Sequence, residues 1–186
     1  MSPLRVIAGS ARGHKLASVP GDKTRPISDR VKESLFNIIR VDLPGARFLD
    51  LFGGTGSVGI EALSRGAGYV IFIDNQRTAI DTIDKNLIAT RLKDQAQLRL
   101  TDAFSFLKLT NLEPFDYIFV APPQYKDLWS KALRFIDANP DLMVADAWVI
   151  VQIDKREYEQ LDFDHLDEFD QRTYGNTRLV FYERKP

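Results

Sequence analysis

Phe48-Leu49-Asp50-Leu51-Phe52-Gly53-Gly54-Thr55-Gly56-Ser57-Val58-Gly59 decides the fold. Phe48 to Phe52 is an apolar run broken only by Asp50. Glycines then crowd together, and Ile60-Glu61-Ala62-Leu63 opens a helical pattern, so the stretch reads as a buried strand, a tight turn and a helix N-terminus. Glycine is needed there because a ligand must come close to the backbone, and the free N–H groups of the helix start face whatever sits above the turn. A small molecule resting on the carboxyl end of a parallel strand is the inference.

The spacing Gly54-x-Gly56-x-x-Gly59 also satisfies a dinucleotide fingerprint. Asp50 argues against that ligand, because its carboxylate would repel a pyrophosphate but attract the ammonium of a methionine moiety. Asp74 closes the next apolar run, Tyr69 to Ile73, and with Asn75 suits the ribose of either ligand. Asp102 closes a third run, Leu98 to Thr101, where a carboxylate can take the exocyclic amine of adenine. Three acids on three successive strand ends fit S-adenosylmethionine. Asp50, Gly53, Gly54, Thr55 and Gly56 would then hold the methionine end, Asp74 and Asn75 the ribose, and Asp102 and Ala103 the adenine.

At 186 residues the chain has room for one α/β domain with a proper core and little room for a second large one, which disfavours a dehydrogenase with its own substrate domain. No run reaches the length of a membrane helix and Met1 to Arg5 lacks a signal-peptide core, so a place in the cytoplasm, away from membranes, is expected, and a monomer is the separate expectation for its assembly. The absence of cysteine excludes disulfides, thiolate zinc sites and the cysteine nucleophile of C5-pyrimidine methylation. Methyl transfer here would be a direct displacement. No metal site is expected either, since His14 and His165 lie far apart. Net charge is −1, yet residues 1 to 47 carry nine Lys/Arg against four acids, and the remainder sums to −6. A basic N-terminal quarter beside an acidic body suggests that the former faces a polyanion, with Arg5, Arg12, Arg25, Arg30 and Lys32 as candidate phosphate contacts.

Arg5 to Gly9 and His14 to Val19 flank a polar turn and predict a β-hairpin exposing Arg12. Ser28 or Asp29 can cap a helix with Val31, Leu35, Ile38 and Ile39 on its apolar face and Arg30 and Lys32 off it. Residues 1–45 form this extension, and 46–186 the ligand-binding domain. From Phe48 strands and helices alternate, the signature of a parallel sheet. Strands are expected at 48–52, 69–73, 98–101, 116–120 and 148–153, and helices at 57–64, 77–90, 103–109 and 128–138. Residues 154–170, with eight acids and two bases, predict a solvated helix or loop on the side away from RNA. A closing hairpin, 168–173 and 177–183 around Tyr174-Gly175-Asn176, would add an antiparallel edge.

The fourth strand runs into Ala121-Pro122-Pro123-Gln124-Tyr125, a stiff loop in the crevice where ligands bind such sheets. Such a loop can present an exocyclic amine in line for displacement, with carbonyls binding its N–H bonds and an aromatic ring stacking the base. An amine of adenine or cytosine suits it as well as one of guanine.

With these motifs the chain resembles the RsmD family of bacterial 16S rRNA guanine-N2 methyltransferases. The resemblance rests on Arg5-Val6-Ile7-Ala8-Gly9 with Arg12-Gly13, Thr24-Arg25-Pro26 with Asp29 to Asn37, Leu49 to Gly59 with Glu61 to Ala67, and Tyr174-Gly175-Asn176-Thr177. It implies a seven-stranded class I methyltransferase fold, S-adenosylmethionine as donor, and a guanine of 16S rRNA within a small ribosomal subunit or its assembly intermediate as acceptor. One departure stands out. The family's fourth motif is similar to Asp/Asn-Pro-Pro-Tyr, whereas here Ala121 takes the first place and Gln124 precedes Tyr125. The alternative in another class is an RNA-binding assembly factor that keeps the donor pocket and has lost transfer.

Overall fold

In the computed structural model, which describes residues 4–21, 27–39 and 42–186, seven strands form one sheet in the order β3-β2-β1-β4-β5-β7-β6. The parallel strands are β1 (Arg47–Asp50), β2 (Tyr69–Asp74), β3 (Ala96–Leu100), β4 (Phe115–Val120) and β5 (Met143–Asp154). The edge hairpin β6 (Leu166–Tyr174) and β7 (Thr177–Arg184) joins through antiparallel pairing of β7 with β5. β6 carries a register shift between Glu168 and Asp170. Strands β1, β2 and β4 are almost continuously apolar because helices cover both faces.

On one face lie α1 (Asp29–Ile38), α2 (Ser57–Ser64), α3 (Arg77–Thr90) and the N-terminal segment, packed over Phe48, Phe72, Ile150 and Leu179. On the other, α4 (Ala103–Leu107) and α5 (Leu128–Asp137) cover Leu49, Ile71, Ile118 and Val149. The close approach of α2 to the sheet requires Gly59, where a Cβ would meet Phe72 Cε1 at 2.3 Å.

Several expectations change. β1 stops at Asp50 because the turn takes up Leu51 and Phe52. β5 begins five residues early, irregularly, with Asp146 at φ +61°. The N-terminal hairpin is one antiparallel bridge, Arg5 with Lys15, with three cross-strand backbone bonds in all, because its backbone is claimed instead by α2. Residues 155–165 take the loop form of the two expected for the acidic stretch, but they are not wholly solvated, since Tyr158, Leu161 and Phe163 pack half-buried against the α5 side of the core. Ser28 caps α1, its hydroxyl accepting from Val31 N–H at 3.4 Å.

Candidate active site

The strand order reverses between β1 and β4, and ligands of open α/β sheets bind over the carboxyl ends at such a point. The glycine turn sits there. Gly53 N–H donates to Ile73 O at 2.7 Å, Gly56 N–H to Gly53 O at 2.7 Å, and Leu51 N–H to Phe119 O at 3.0 Å, so β2 and β4 both brace it. Gly54 has φ +53°, and a Cβ there would meet nothing within 4 Å, which leaves open space directly above the backbone. Asp74 accepts from Gly54 N–H at 2.9 Å and from Gln76 N–H at 2.9 Å, and thereby locks the turn to the end of β2. Thr101 N–H donates to Asp74 O at 3.0 Å, which brings the end of β3 alongside. Asp102 caps α4 through Ser105 N–H at 2.9 Å, a bond that holds its carboxyl below the usual range. Asn75 is exposed and Ala103 buried at the start of α4. The nine predicted donor residues thus lie along one edge.

Asp50 is the electrostatic anomaly. Its side chain is buried, takes one hydrogen bond, from Gly59 N–H at 3.2 Å, and is pushed up to about 7 by desolvation, with the charge of Asp74 adding to the rise. A cation placed over the glycine turn would relieve both carboxylates. An ammonium group therefore fits, and a pyrophosphate does not.

Ala121 and Pro122 are half-buried at the end of β4, while Pro123 and Gln124 are exposed. Tyr125 has φ +58° and is 59% exposed. Its N–H donates to Glu157 Oε2 at 2.7 Å, its hydroxyl accepts from Arg156, and the Arg156 guanidinium lies 5.6 Å from its ring centroid. Asp154 grips the same guanidinium through Nε at 2.9 Å and Nη2 at 3.0 Å, which holds the Asp154 carboxyl well below the usual range. The start of the acidic stretch therefore borders the Ala121–Tyr125 loop at the end of β4. Nothing local in the sequence signals this, because the three residues meet only when β4 and β5 pair.

Of the predicted phosphate contacts, Arg12 and Arg30 are exposed, the latter 5.9 Å over the Tyr174 ring, and Arg5 is paired with Asp29 at 2.9 Å. Arg25 lies outside the described residues. Lys32 is a correction. It is fully buried, donates to Arg5 O at 2.6 Å and Ser57 Oγ at 2.9 Å, and sits 3.5 Å from Glu61. Burial lowers its pKa while Glu61 opposes the fall.

Glu61, also fully buried, accepts from Ile7 N–H at 2.8 Å, Ala8 N–H at 3.0 Å and Arg65 Nε at 2.7 Å. Sequence reasoning missed it, although a charge inside Ile60-Glu61-Ala62-Leu63 was the available signal. It also missed Asn86, whose amide bonds both backbone groups of Ala17 and donates to Thr55 O at 2.9 Å. The N-terminal segment is thereby fastened to the glycine turn. Among the described residues no group of acids and histidines could hold a metal, and no helix is long and apolar enough to cross a membrane.

The strand order, the glycine turn at the end of β1 and the acids along that edge are those of a class I, Rossmann-like methyltransferase fold. A family model described as Conserved hypothetical protein 95 matches residues 4–183. YlbH of Bacillus subtilis is 37% identical over 184 residues, spanning 98% of this chain and 100% of that one. Ribosomal RNA small subunit methyltransferase D of Haemophilus influenzae is 35% identical over 154 residues, 82% of this chain and 79% of its own length. Among solved structures, yhhF of Escherichia coli has TM-score 0.85 at 28% identity over 99% of both chains. An RNA methyltransferase of Salinibacter ruber in complex with S-adenosyl-L-homocysteine shares the fold at TM-score 0.66 and 12% identity, covering 86% of this chain and 94% of that one. The chain belongs to the RsmD family.

Proposed function

We propose that this chain transfers a methyl group from S-adenosylmethionine to the exocyclic N2 amine of a guanine in 16S rRNA, presented on an assembled or partly assembled small subunit. The observation that carries the reading is that a buried carboxylate with a raised pKa, Asp50, and a stiff Pro-Pro loop stand at the carboxyl ends of adjacent central strands. The methyltransferase names of relatives support it.

S-adenosylmethionine, when bound, supplies a methyl group activated by a sulfonium. The protein's part is binding and alignment. Asp50 takes the ammonium, Gly53, Gly54, Thr55 and Gly56 line the methionine end, Asp74 and Asn75 the ribose, and Asp102 and Ala103 the adenine. An exocyclic amine is a weak nucleophile because its lone pair is delocalised into the ring. Acceptors at the Ala121–Gln124 loop that bind its N–H bonds favour the reactive form, and Tyr125 stacks the base. Residues 1–45 meet RNA and 46–186 hold the donor.

The test is transfer of labelled methyl to small subunits lacking guanine-N2 methylation, followed by nucleoside mass spectrometry. N2-methylguanosine is expected. No transfer with donor binding intact would instead favour the binding-factor reading. The exposed Arg12 and Arg30 are expected to contact phosphates. Replacing both with alanine should weaken subunit binding and lower its salt slope by about 2, with donor affinity unchanged, in titrations at several salt concentrations. Unaltered RNA affinity would remove them from the interface.

A further inference from the structure

Three buried side-chain polar atoms among the described residues lack a hydrogen-bond partner: Arg47 Nε, Tyr182 Oη and Gln152 Oε1. Arg47 lies at the amino end of β1, away from the site, and its guanidinium already pairs with Glu113. Tyr182 faces the α4–α5 side of the sheet. Gln152 differs from both in its place. It stands near the carboxyl end of β5, two residues before Asp154, next to the acceptor loop.

The register fixes its neighbours. Val120 pairs with Val151, so Ala121 follows alongside Gln152. Gln152 pairs on its other side with Leu179, which belongs to the same apolar cluster as Ile150, and Ala121 packs against that cluster too. Strand alternation therefore puts Ala121 and Gln152 on one face, a strand apart. Ala121 presents only a methyl group where the family pattern has an Asp or Asn carbonyl. A carbonyl missing from one strand and an unused carbonyl on the next describe one acceptor relocated.

We propose that Gln152 Oε1 accepts a hydrogen bond from the N2 amine of the target guanine and does the work of the side chain absent at position 121. This deepens the functional reading above and rests on it. As the amine lone pair forms its bond to the methyl carbon, the carbon–sulfur bond breaks and its electron pair stays on sulfur. The nitrogen then sheds one proton to water, because a carboxamide is no base. The bond to Gln152 Oε1 strengthens as positive charge grows on N2, so it acts chiefly in the transition state. A buried acceptor with no partner burdens the folded chain, and its removal is favourable unless a ligand uses it.

The experiment compares wild type, Gln152→Leu and Gln152→Leu/Ala121→Asn in methyl transfer to small subunits, with donor affinity by calorimetry and melting temperature measured alongside. In Gln152→Leu, kcat is expected to fall about 10²-fold while donor Kd holds and melting temperature is unchanged or higher. Ala121→Asn is expected to recover at least about tenfold of that loss. Undiminished kcat in Gln152→Leu, a loss that Ala121→Asn leaves unrestored, or a fall in melting temperature together with donor affinity would overturn the role of Gln152. A wild-type protein that places no methyl on guanine N2 overturns the functional reading itself, a distinct result.

Discussion

Replacing Glu61 with alanine is expected to cost the fold about 3–5 kcal/mol. The carboxylate is the meeting point of Lys32, Arg65 and the N–H groups of Ile7 and Ala8, and neither it nor Lys32 touches solvent. Alanine would leave the Lys32 ammonium buried beside only Ser57 Oγ and Arg5 O, and two backbone donors bare, each an unsatisfied group with its own desolvation penalty. Against a total stability of about 5–15 kcal/mol, that loss removes a third or more. Denaturant titration reads it directly, and a midpoint equivalent to under about 1 kcal/mol would refute the assignment. The Glu61→Gln/Lys32→Met pair, which removes both charges but keeps an acceptor oxygen for only one of the two N–H groups, should regain part of the loss.

Asp50→Asn is expected to move stability and donor affinity in opposite directions. The folded-state pKa of Asp50 lies near 7, above the unfolded value, so the folded chain binds the extra proton between about pH 4 and 7. Stability from this group is therefore present at low pH and lost as pH rises through 7. At pH 8 the buried charge costs on the order of 4 kcal/mol. Asparagine abolishes that cost, so the variant should melt higher than wild type at pH 8 and equally near pH 4. The same change removes the ammonium's partner and should weaken donor binding by about 3 kcal/mol, a hundredfold or more in Kd. In wild type, donor affinity should rise with pH through 7 and fall again as the ligand's own ammonium titrates near 8. Flat affinity across that range, or wild-type affinity in Asp50→Asn, would displace Asp50 from the methionine end.

The glycine turn and the acids beside it were legible because their signals are local. Alternation of apolar runs with helical periods gave the parallel sheet, glycines marked the turn, and each run ended in an acid, so Asp50, Asp74 and Asp102 fell into line once the strands paired. What stayed hidden depends on partners far along the chain. Lys32 lies beside the apolar stripe of α1, and its burial follows only from Glu61, which the sequence places 29 positions later. Asp154, Arg156 and Tyr125 meet through the pairing of β4 with β5, and Asn86 reaches Ala17 and Thr55 from the middle of a regular helix. Composition correctly marked residues 154–170 as hydrophilic, but hydrophilicity does not say which side of a molecule a segment will occupy.

The outermost strand has a further consequence. A sheet that ends on an open strand offers its unpaired backbone to any other extended chain, a standing invitation to fibre growth. β6 answers with Asp167, Glu168, Asp170 and Arg172 in quick succession and with a break in register midway along. An incoming strand would have to bury like charges and follow a kinked template. The hairpin that completes the sheet thus also ends it on the side opposite β3, with an edge poorly suited to seeding further strands.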